Sequence, residues 1–439
     1  MKSILSLLLF YSLAFTSFAY AGVNDLFDSP CVYDGRIICT IESVKRYQLQ
    51  NNIAHYELVL KVGTGQFDKI GLHHIVNEYQ AWKPTQSNTA TMLVHGDAYG
   101  FGEFIASLGS QVVSRDHSVA IQMAIAGIDV WGVDLRWTKV PADTPNLDFM
   151  ADWGVDVDLK DLGTAINVAR NIRKSAGNKD VKLNLLGWSR GGQLGYLYLA
   201  KESQQKLNKR NIKAFIPVDI LLKTDDESIR QSACLYSSLL RQQIAAGKHY
   251  DESGLITQNV AALAQFLPDE LSPLFEGFTN KQAALLLLTS TYLVSPAGSF
   301  STPWYHYNGG RFDGNGLPVD LAFTNLNFMY EYATGAAPYE PARMILETND
   351  LVCNQIDSTR DDHLADISVP ILYVYAAGGF GKTGLYTARL TASRDISSIG
   401  VQTLPDAMAA LDFAHVDLFT ATDANARVWQ PIIHWIKAH

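Results

Sequence analysis

The sequence predicts an α/β fold in which a mostly parallel central sheet is flanked by helices and interrupted by an inserted, largely helical segment. Three observations lead to this prediction. Short apolar segments alternate with helical stretches in both halves of the chain, which is typical of βαβ units. A long region of helical segments and Gly/Pro/Ser-rich loops separates the two halves. The motif Gly187-Trp188-Ser189-Arg190-Gly191 stands between an apolar strand and a helix.

The predicted elements begin with an alternating segment from Tyr56 to Val76, interrupted by Gly63-Thr64-Gly65, which predicts a β-hairpin. The further predicted strands are Thr91–Val94, Ile128–Val133, Val181–Leu186, Ala214–Val218, Val369–Tyr375 and Val401–Leu404. The predicted helices of the core are Ser118–Ala126, Leu159–Ser175, one that begins just after Ser189, Leu385–Ala392 and Ala424–Lys437. Right-handed crossovers then place the loops at the strand C-termini on one edge of the sheet.

The alternation stops near Lys223 and resumes after about Ala365. We therefore expect four parts: a signal peptide (residues 1–21), a first core part (22–222), an inserted helical cap (223–365) and a second core part (366–439). The helices predicted within the cap are Leu239–Ala246, Val260–Phe266 and Ala283–Leu293.

The N-terminal segment has the pattern of a secretory signal peptide. A basic Lys2 precedes an apolar run from Ile4 to about Phe18, and Ala19-Tyr20-Ala21 matches the small-residue pattern at which signal peptidase cuts. We expect a secreted or periplasmic protein whose mature chain starts at Gly22. The alternative is a membrane anchor, although the run is shorter than the ~20 apolar residues that a span requires.

The composition indicates a globular protein that lacks a cluster of basic residues for binding polyanions. The 439 residues are 47% hydrophobic, and the formal net charge is -9. Because no block of Lys or Arg occurs, neither nucleic acid nor anionic lipid is an expected partner. The most apolar later segment, Ala283–Leu288, is short and has polar flanks, so no transmembrane segment is expected after signal cleavage.

Four cysteines, an even number, fit two disulfides in an exported chain. Cys31 and Cys39 flank the turn-forming segment Tyr33-Asp34-Gly35, which favours a local bridge between them. Cys234 would then pair with Cys353 across the inserted region. The sequence alone leaves the other pairings open, and free buried thiols are a further alternative.

The motif G-x-S-x-G is informative here because of its position. Gly187 follows an apolar strand and a helix begins after Ser189, so the serine lies on a sharp strand-to-helix turn. There its hydroxyl is exposed at the edge of the sheet, and the helix N-terminus favours developing negative charge. We therefore predict that Ser189 is a nucleophile; a purely structural turn is the alternative.

A serine nucleophile requires a base, and His415 is the candidate among eleven histidines. It follows the last predicted strand, near the chain end, where the order nucleophile, acid, base puts the histidine. His73, His74 and His306 fall in the early hairpin and in the insertion, and we expect surface or packing roles for them. A buried structural histidine is the alternative for His415.

An oxyanion requires two N–H donors, one from the residue after the nucleophile and one from the loop after an earlier strand. The backbone of Arg190 supplies the first. His95-Gly96-Asp97 follows the strand Thr91–Val94, so the Asp97 backbone is the predicted second donor, and His95 is expected to steady the loop. A rival interpretation makes Asp97 a catalytic acid.

Four segments resemble the α/β-hydrolase superfamily in their motifs and their order: Leu93–Gly96, Gly127–Arg136, Gly187–Gly191 and His415–Phe419. The stretch from Asp116 through Trp131 and the residues after His415 are also similar to the acid lipases of gastric and lysosomal type. The resemblance covers the core. It implies an α/β-hydrolase fold and a serine esterase or lipase that works through an acyl-enzyme, without a metal or an organic cofactor.

One position departs from that family. In most of the superfamily the acid of the triad follows the strand equivalent to Ile371–Tyr375, but the loop Ala376–Lys382 here contains no carboxylate. Asp219 ends the strand after the nucleophile strand, at the same edge of the sheet, and is the predicted acid. The alternatives are Asp412, Asp395 or a dyad without an acid, and Asp219 would then be a helix N-cap.

The expected function is hydrolysis of a small-molecule or lipid ester with an apolar acyl part. Aromatic residues of the insertion are candidates for a pocket or for core packing: Phe300, Trp304, Tyr305, Tyr307, Phe323, Phe328 and Tyr330. A peptidase, amidase or acyltransferase with the same triad is the first alternative. The second is a catalytically inactive hydrolase fold that binds a ligand or partner.

Overall fold

The structure, a computed structural model, describes residues 30–33, 35–179, 182–290 and 305–439. The predicted signal peptide, residues 1–21, and the candidate pocket residues Phe300 and Trp304 lie outside these ranges. The described residues form a mostly parallel central sheet with helices packed against it, in agreement with the predicted fold class.

The strands of the described residues are, in chain order, Pro30–Tyr33 (β1), Arg36–Gln50 (β2), Ile53–Lys61 (β3), Lys69–Gln80 (β4), Lys83–Pro84 (β5), Ala90–Val94 (β6), Asp129–Asp134 (β7), Leu183–Trp188 (β8), Ile212–Val218 (β9), Tyr250–Asp251 (β10), Gly310–Phe312 (β11), Pro318–Leu321 (β12), Glu340–Pro341 (β13), Ile371–Ala376 (β14) and Ile396–Val401 (β15). The central sheet has the order β1-β2-β3-β4-β7-β6-β8-β9-β14-β15, and β5 pairs with β4. Its first four strands form an antiparallel meander, and the strands from β7 to β15 in that order run parallel.

The helices of the described residues are Val119–Ile125 (α1), Val155–Ser175 (α2), Arg190–Ser203 (α3), Glu227–Ala245 (α4), Ser253–Phe266 (α5), Asn280–Thr289 (α6), Leu326–Thr334 (α7), Ala342–Cys353 (α8), Leu385–Arg389 (α9), Asp417–Thr420 (α10) and Gln430–Ala438 (α11). Two of them begin at side-chain caps. Asp226 accepts the amide of Ser228 at 2.8 Å before α4, and Thr279 forms a capping box with Gln282 at α6.

Two apolar clusters lie on the two faces of the sheet, because successive side chains of a strand point to opposite sides. On β8, Leu185 belongs to the first cluster and Leu186 to the second. Helices α2 and α3 contribute to the first cluster, and helices α1 and α11 contribute to the second. The central strands are therefore buried on both faces, as their continuous apolar segments predict.

We call the segment between β9 and β14 the insertion (residues 223–365). Its described residues form α4 to α8 and two small antiparallel sheets, β10 with β13 and β11 with β12. The disulfide Cys234–Cys353 links α4 to α8 across 119 residues, and Cys31–Cys39 joins β1 to β2. Both predicted pairings are thus confirmed. Across the described residues, no helix has the length and apolar character of a bilayer span.

Three local predictions differ from the structure. The sequence analysis missed strands β1 and β2. It also placed the last strand at Val401–Leu404, whereas β15 is Ile396–Val401. These are outer strands with many half-exposed positions, so their apolar pattern is weak. Finally, His73 and His74 are buried at 6% and 4% exposure, so their predicted surface role is wrong and their packing role holds.

Candidate active site

Three loops that carry predicted site residues begin at the same edge of the sheet. Loop 95–98 follows β6, Ser189 follows β8, and Asp219 follows β9. Since β6, β8 and β9 are parallel neighbours, their carboxyl ends lie side by side. Trp188 and Val218, the last residues of β8 and β9, are paired in register.

Ser189 stands on a strained turn between β8 and α3. Its φ of 53° is in the left-handed region, which is costly for a residue with a side chain, and its amide donates to the carbonyl of Val218 at 2.9 Å. The residue is 8% exposed. Strain of this kind at the end of a central strand is the local geometry that the G-x-S-x-G motif predicts.

Asp219 and His415 are in direct contact. Oδ2 of Asp219 lies 2.7 Å from Nδ1 of His415, and both side chains are almost fully buried. Two further amides donate to this carboxyl group: that of Ala376, the last residue of β14, to Oδ1 at 3.1 Å, and that of Phe380, in the loop after β14, to Oδ2 at 3.2 Å. The carboxylate is therefore held by the end of β14 and the loop after it, and it contacts the imidazole.

Gly379 explains how a carboxylate from β9 occupies this place. A Cβ atom at position 379 would lie 1.9 Å from Oδ2 of Asp219, so any side chain there would displace the carboxylate. Asp219 itself has a φ of 46°, which turns its side chain away from the regular strand direction. The loop after β14 thus lacks an acid and also leaves the space into which the Asp219 carboxylate fits.

The imidazole of His415 lies among aromatic rings. Its centroid is 5.0 Å from that of Trp188, 5.3 Å from Tyr305 and 5.9 Å from Phe380. No hydrogen bond joins the described side chains of His415 and Ser189, which leaves Nε2 without a described partner. Catalytic hydrogen bonds are often long without a substrate and shorten when it binds.

Loop 95–98 passes directly beside the serine: a Cβ atom on Gly96 would lie 2.9 Å from Cβ of Ser189. Its amides have different acceptors. The amide of Gly96 donates to Oε1 of Glu103 at 3.2 Å, and the amide of Ala98 donates to Oε1 of Glu340. Of the amides of residues 96–98, that of Asp97 alone has no acceptor among the described residues. The amide of Arg190, the first residue of α3, likewise has no intrahelical acceptor.

His95 holds this loop in place, as predicted. Burial lowers the pKa of His95, so the ring is neutral and one nitrogen can accept a hydrogen bond. The amide of Leu135 donates to Nε2 at 3.1 Å, and Nδ1 donates to the carbonyl of Gly96 at 2.9 Å. The ring therefore connects the ends of β6 and β7 and has no nitrogen left for proton transfer.

The side chains of Asp97 and Arg190, the two predicted oxyanion residues, form a bidentate ion pair. Nη2 of Arg190 lies 2.7 Å from Oδ2 of Asp97, and Nε contacts Oδ1. Nη1 of Arg190 also donates to the Thr348 hydroxyl on α8 of the insertion. Because its carboxylate faces Arg190, Asp97 is not in contact with His415, which argues against its rival role as the catalytic acid.

The histidine loop is tied to the insertion. The amide of Val416 donates to the carbonyl of Tyr307 at 2.7 Å. Asp417 accepts the amides of Gly309 at 2.8 Å and of Ala414 at 3.0 Å, and also side chains of the insertion. Burial raises the pKa of Asp417 to about 6, against the lowering effect of these hydrogen bonds.

The alternative acids lie elsewhere. Asp412 is buried and accepts the amides of Thr403 and Leu404 at 2.9 Å, so it fixes the chain before the histidine loop. Asp395 precedes β15, at the amino edge of the sheet, and contacts His439 at 3.0 Å. Neither carboxylate contacts His415.

The sequence analysis missed Glu103 and Glu340, the two buried acceptors of loop 95–98. Glu103 is close to that loop in the sequence, so a search for side-chain acceptors of the loop amides could have found it. Glu340 is 242 residues from Ala98. The aromatic residues predicted to line a pocket have different surroundings. Tyr305 lies beside His415, but Phe328 packs near His117 and Tyr330 packs against α5 and α6. Within the described ranges, no group of three or more His, Cys, Asp or Glu residues is arranged to hold a metal ion.

The fold is similar to that of a solved structure. A candidate lipase from Sulfolobus solfataricus aligns with a TM-score of 0.60 and 16% identity, over 90% of this chain and 99% of that chain. A monoglyceride lipase from Saccharomyces cerevisiae aligns with a TM-score of 0.45 and 12% identity, over 93% and 99%. No family model and no curated protein matches the sequence. The chain therefore has the α/β-hydrolase fold, as the strand order and the strand-to-helix turn at Ser189 indicate.

Proposed function

We propose that this chain is a secreted serine hydrolase that cleaves carboxylic esters through an acyl-enzyme intermediate. The observation that carries the proposal is the contact of Asp219 with Nδ1 of His415 at 2.7 Å, at the edge of the sheet where Ser189 leaves β8. Because the fold alone hosts many functions, the proposal rests on these side chains.

In the proposed first half-reaction, Oγ of Ser189 attacks the ester carbonyl carbon while Nε2 of His415 takes the hydroxyl proton. The Asp219 carboxylate keeps the other ring proton on Nδ1 and stabilises the imidazolium that forms. The amides of Asp97 and Arg190 donate to the carbonyl oxygen as it becomes negative. The tetrahedral intermediate then expels the alkoxide, which takes the proton from His415 and leaves as the alcohol.

In the second half-reaction, a water molecule attacks the acyl-enzyme while Nε2 of His415 takes one of its protons. The second tetrahedral intermediate collapses, the bond to Oγ of Ser189 breaks, and His415 returns the proton to that oxygen. The products are a carboxylic acid and the free enzyme. No step of this scheme requires a metal or an organic cofactor.

An apolar acyl group is the substrate part that the surroundings of His415 favour. The rings of Trp188, Tyr305 and Phe380 present apolar surface at the imidazole. We infer that the insertion acts as a cap over this site, because its Thr348 hydroxyl accepts from Arg190, the residue after Ser189, and its Tyr307 carbonyl accepts from the histidine loop. The resemblance of the core sequence to the acid lipases of gastric and lysosomal type also supports an ester with an apolar acyl group.

Export is supported by the two disulfides, which persist in oxidising compartments. The signal peptide is proposed from the sequence of residues 1–21 alone. N-terminal sequencing of the exported protein should give Gly22 as the first residue, and an exported chain that still begins at Met1 would favour an anchor.

A panel of p-nitrophenyl esters of rising chain length tests the activity. We expect hydrolysis by the purified protein, and Ser189→Ala should lower kcat by about 10⁶-fold, as loss of the nucleophile does in other serine triads. Peptide and amide substrates run in parallel would identify a peptidase or amidase with the same residues. Equal ester turnover by the wild type and by folded Ser189→Ala would end the serine-hydrolase proposal, and no turnover of any substrate would favour a binding protein.

A further inference from the structure

Glu340, a residue of the insertion, reaches the loop that carries a predicted oxyanion donor. It lies on the two-residue strand β13, paired with Asp251 on β10, and is 2% exposed. Its Oε1 accepts the amide of Ala98, the residue directly after Asp97. The same part of the insertion also holds the next peptide unit, because the amide of Ala337 donates to the Ala98 carbonyl at 2.6 Å.

Ala98 needs such support because of its backbone conformation. Its φ of 60° lies in the left-handed region, which is unfavourable for an L-residue other than glycine. A conformation of this kind persists where its surroundings hold it. Here the two hydrogen bonds to the insertion, one to the N–H and one to the C=O of Ala98, provide that hold.

The hydrogen bonds of the neighbouring amides indicate which amide of the loop remains for a ligand. Glu103 accepts the amide of Gly96 on one side of Asp97, and Glu340 accepts the amide of Ala98 on the other. The amide of Asp97 is thereby left for a ligand, while its side chain is fixed by Arg190, whose own amide is the other predicted donor. A change in the backbone conformation at Ala98 would shift loop 95–98 and, with it, the Asp97 N–H relative to the serine.

We propose that Glu340 is a positioning residue for the oxyanion hole: it fixes the backbone of Ala98 so that the Asp97 amide faces the carbonyl oxygen of the substrate. This inference rests on the proposed serine-hydrolase function and makes the insertion a part of the catalytic framework. Burial and the nearby Asp97 carboxylate raise the pKa of Glu340 well above its ordinary value, which favours the neutral form. A glutamine, which is also neutral, should therefore substitute for it.

The test compares Glu340→Ala with Glu340→Gln and with a matched control in the same insertion. The control is Glu347→Ala, because Glu347 on α8 also accepts a core amide, that of Val155 at 2.8 Å, away from loop 95–98. We expect Glu340→Ala to lower kcat by about 10²-fold with little change in KM, the effect of losing one oxyanion donor. Glu340→Gln should retain most of the activity, and Glu347→Ala should keep the wild-type kcat.

Two further measurements separate positioning from general stabilisation. The affinity for a trifluoromethyl ketone, which forms a tetrahedral adduct with the serine, should fall in parallel with kcat/KM in Glu340→Ala, while the affinity for a carboxylate product should not. Ala98→Gly in the Glu340→Ala background should recover part of the lost kcat, since glycine adopts a positive φ without a side-chain clash. If Glu340→Ala does not fold, Glu340→Asp breaks the same hydrogen bond by shortening the side chain.

Each outcome decides one of the two proposals. A wild-type kcat in folded Glu340→Ala, or equal losses in Glu340→Ala and Glu347→Ala, would overturn the positioning role. Absence of ester hydrolysis by the wild type would instead overturn the proposed function. Hydrogen exchange of the peptide containing residues 95–98 does not depend on activity: it should rise in Glu340→Ala and stay unchanged in Glu347→Ala, and no rise would again contradict the inference.

Discussion

Buried histidines occur in two regions of this molecule, and they have different surroundings. In the hairpin of β3 and β4, Nε2 of His74 contacts Asp129 at 2.5 Å, and the ring stacks on Trp131. At the carboxyl edge of the sheet, Nδ1 of His415 contacts Asp219 at 2.7 Å. Both are buried histidine–carboxylate pairs, so the pair alone does not define a site.

The partners of each carboxylate make the difference. Asp129 also pairs with the Arg173 guanidinium and accepts the indole N–H of Trp131 at 3.2 Å, so its charge is already neutralised by a buried cation. Asp219 has backbone amides and His415 as its described partners, and an imidazolium that forms on His415 would be its counter-ion. The comparison indicates what distinguishes the proposed catalytic pair from a structural one, namely a carboxylate that has no permanent cation as its partner.

Among the variants that compare these two regions, Asp219→Asn should have the largest effect. An amide cannot stabilise the imidazolium and favours the wrong tautomer of His415, so kcat for an ester should fall by about 10⁴-fold with little change in the unfolding transition. Steady-state kinetics and thermal unfolding measure the two quantities. A variant that keeps more than a tenth of the activity would show that another group orients His415.

His74→Gln is the matched control from the hairpin. It removes the same type of contact with a buried carboxylate, so it should lower the free energy of unfolding, while kcat of the folded protein stays within about tenfold of the wild type. A kinetic loss as large as that of Asp219→Asn would mean that the two regions do not differ in function.

Gly379→Ala sharpens the comparison without changing a charged group. The new methyl group would lie 1.9 Å from Oδ2 of Asp219, so the carboxylate must move from its place beside His415. We expect kcat to fall by about 10²-fold or more, since small misplacements of catalytic groups cost that much. Gly314→Ala is the control, because a Cβ atom there meets nothing within 4 Å. Equal activity of both variants would contradict the proposed place of Asp219.

The smallest expected effect concerns the stability of the hairpin region. Burial, together with the neighbouring His73, lowers the pKa of His55 to about 3. The unfolded chain takes up this proton near pH 6.5 and the folded chain does not, so the free energy of unfolding should fall as the pH drops below 6.5, by up to about 1.4 kcal/mol per pH unit. Urea unfolding between pH 7.5 and 5 should show a smaller decrease in His55→Gln. An unchanged decrease would mean that His55 is protonated in the folded protein.

The fold and the role of Ser189 could be predicted from local sequence, because the G-x-S-x-G motif, the strand before it and the helix after it are contiguous. Asp219 was predicted from topology, because parallel strands bring their carboxyl ends together and the loop after β14 lacks an acid. The contact of Glu340 with loop 95–98 could not be predicted from local sequence. It joins distant segments and depends on the fold of the insertion. The outer strands β1, β2 and β15 were missed or displaced because their half-exposed residues carry a weak apolar period.

Labelling with a fluorophosphonate tests the central claim, that Ser189 is a nucleophile activated by His415. The serine oxygen displaces fluoride from phosphorus, and the adduct adds a fixed mass to one peptide. We predict stoichiometric labelling of the wild type at Ser189 and a rate of labelling that falls by orders of magnitude in His415→Ala, because the hydroxyl then lacks its base. A wild-type protein that stays unlabelled, or that carries the adduct on another serine, would contradict the account.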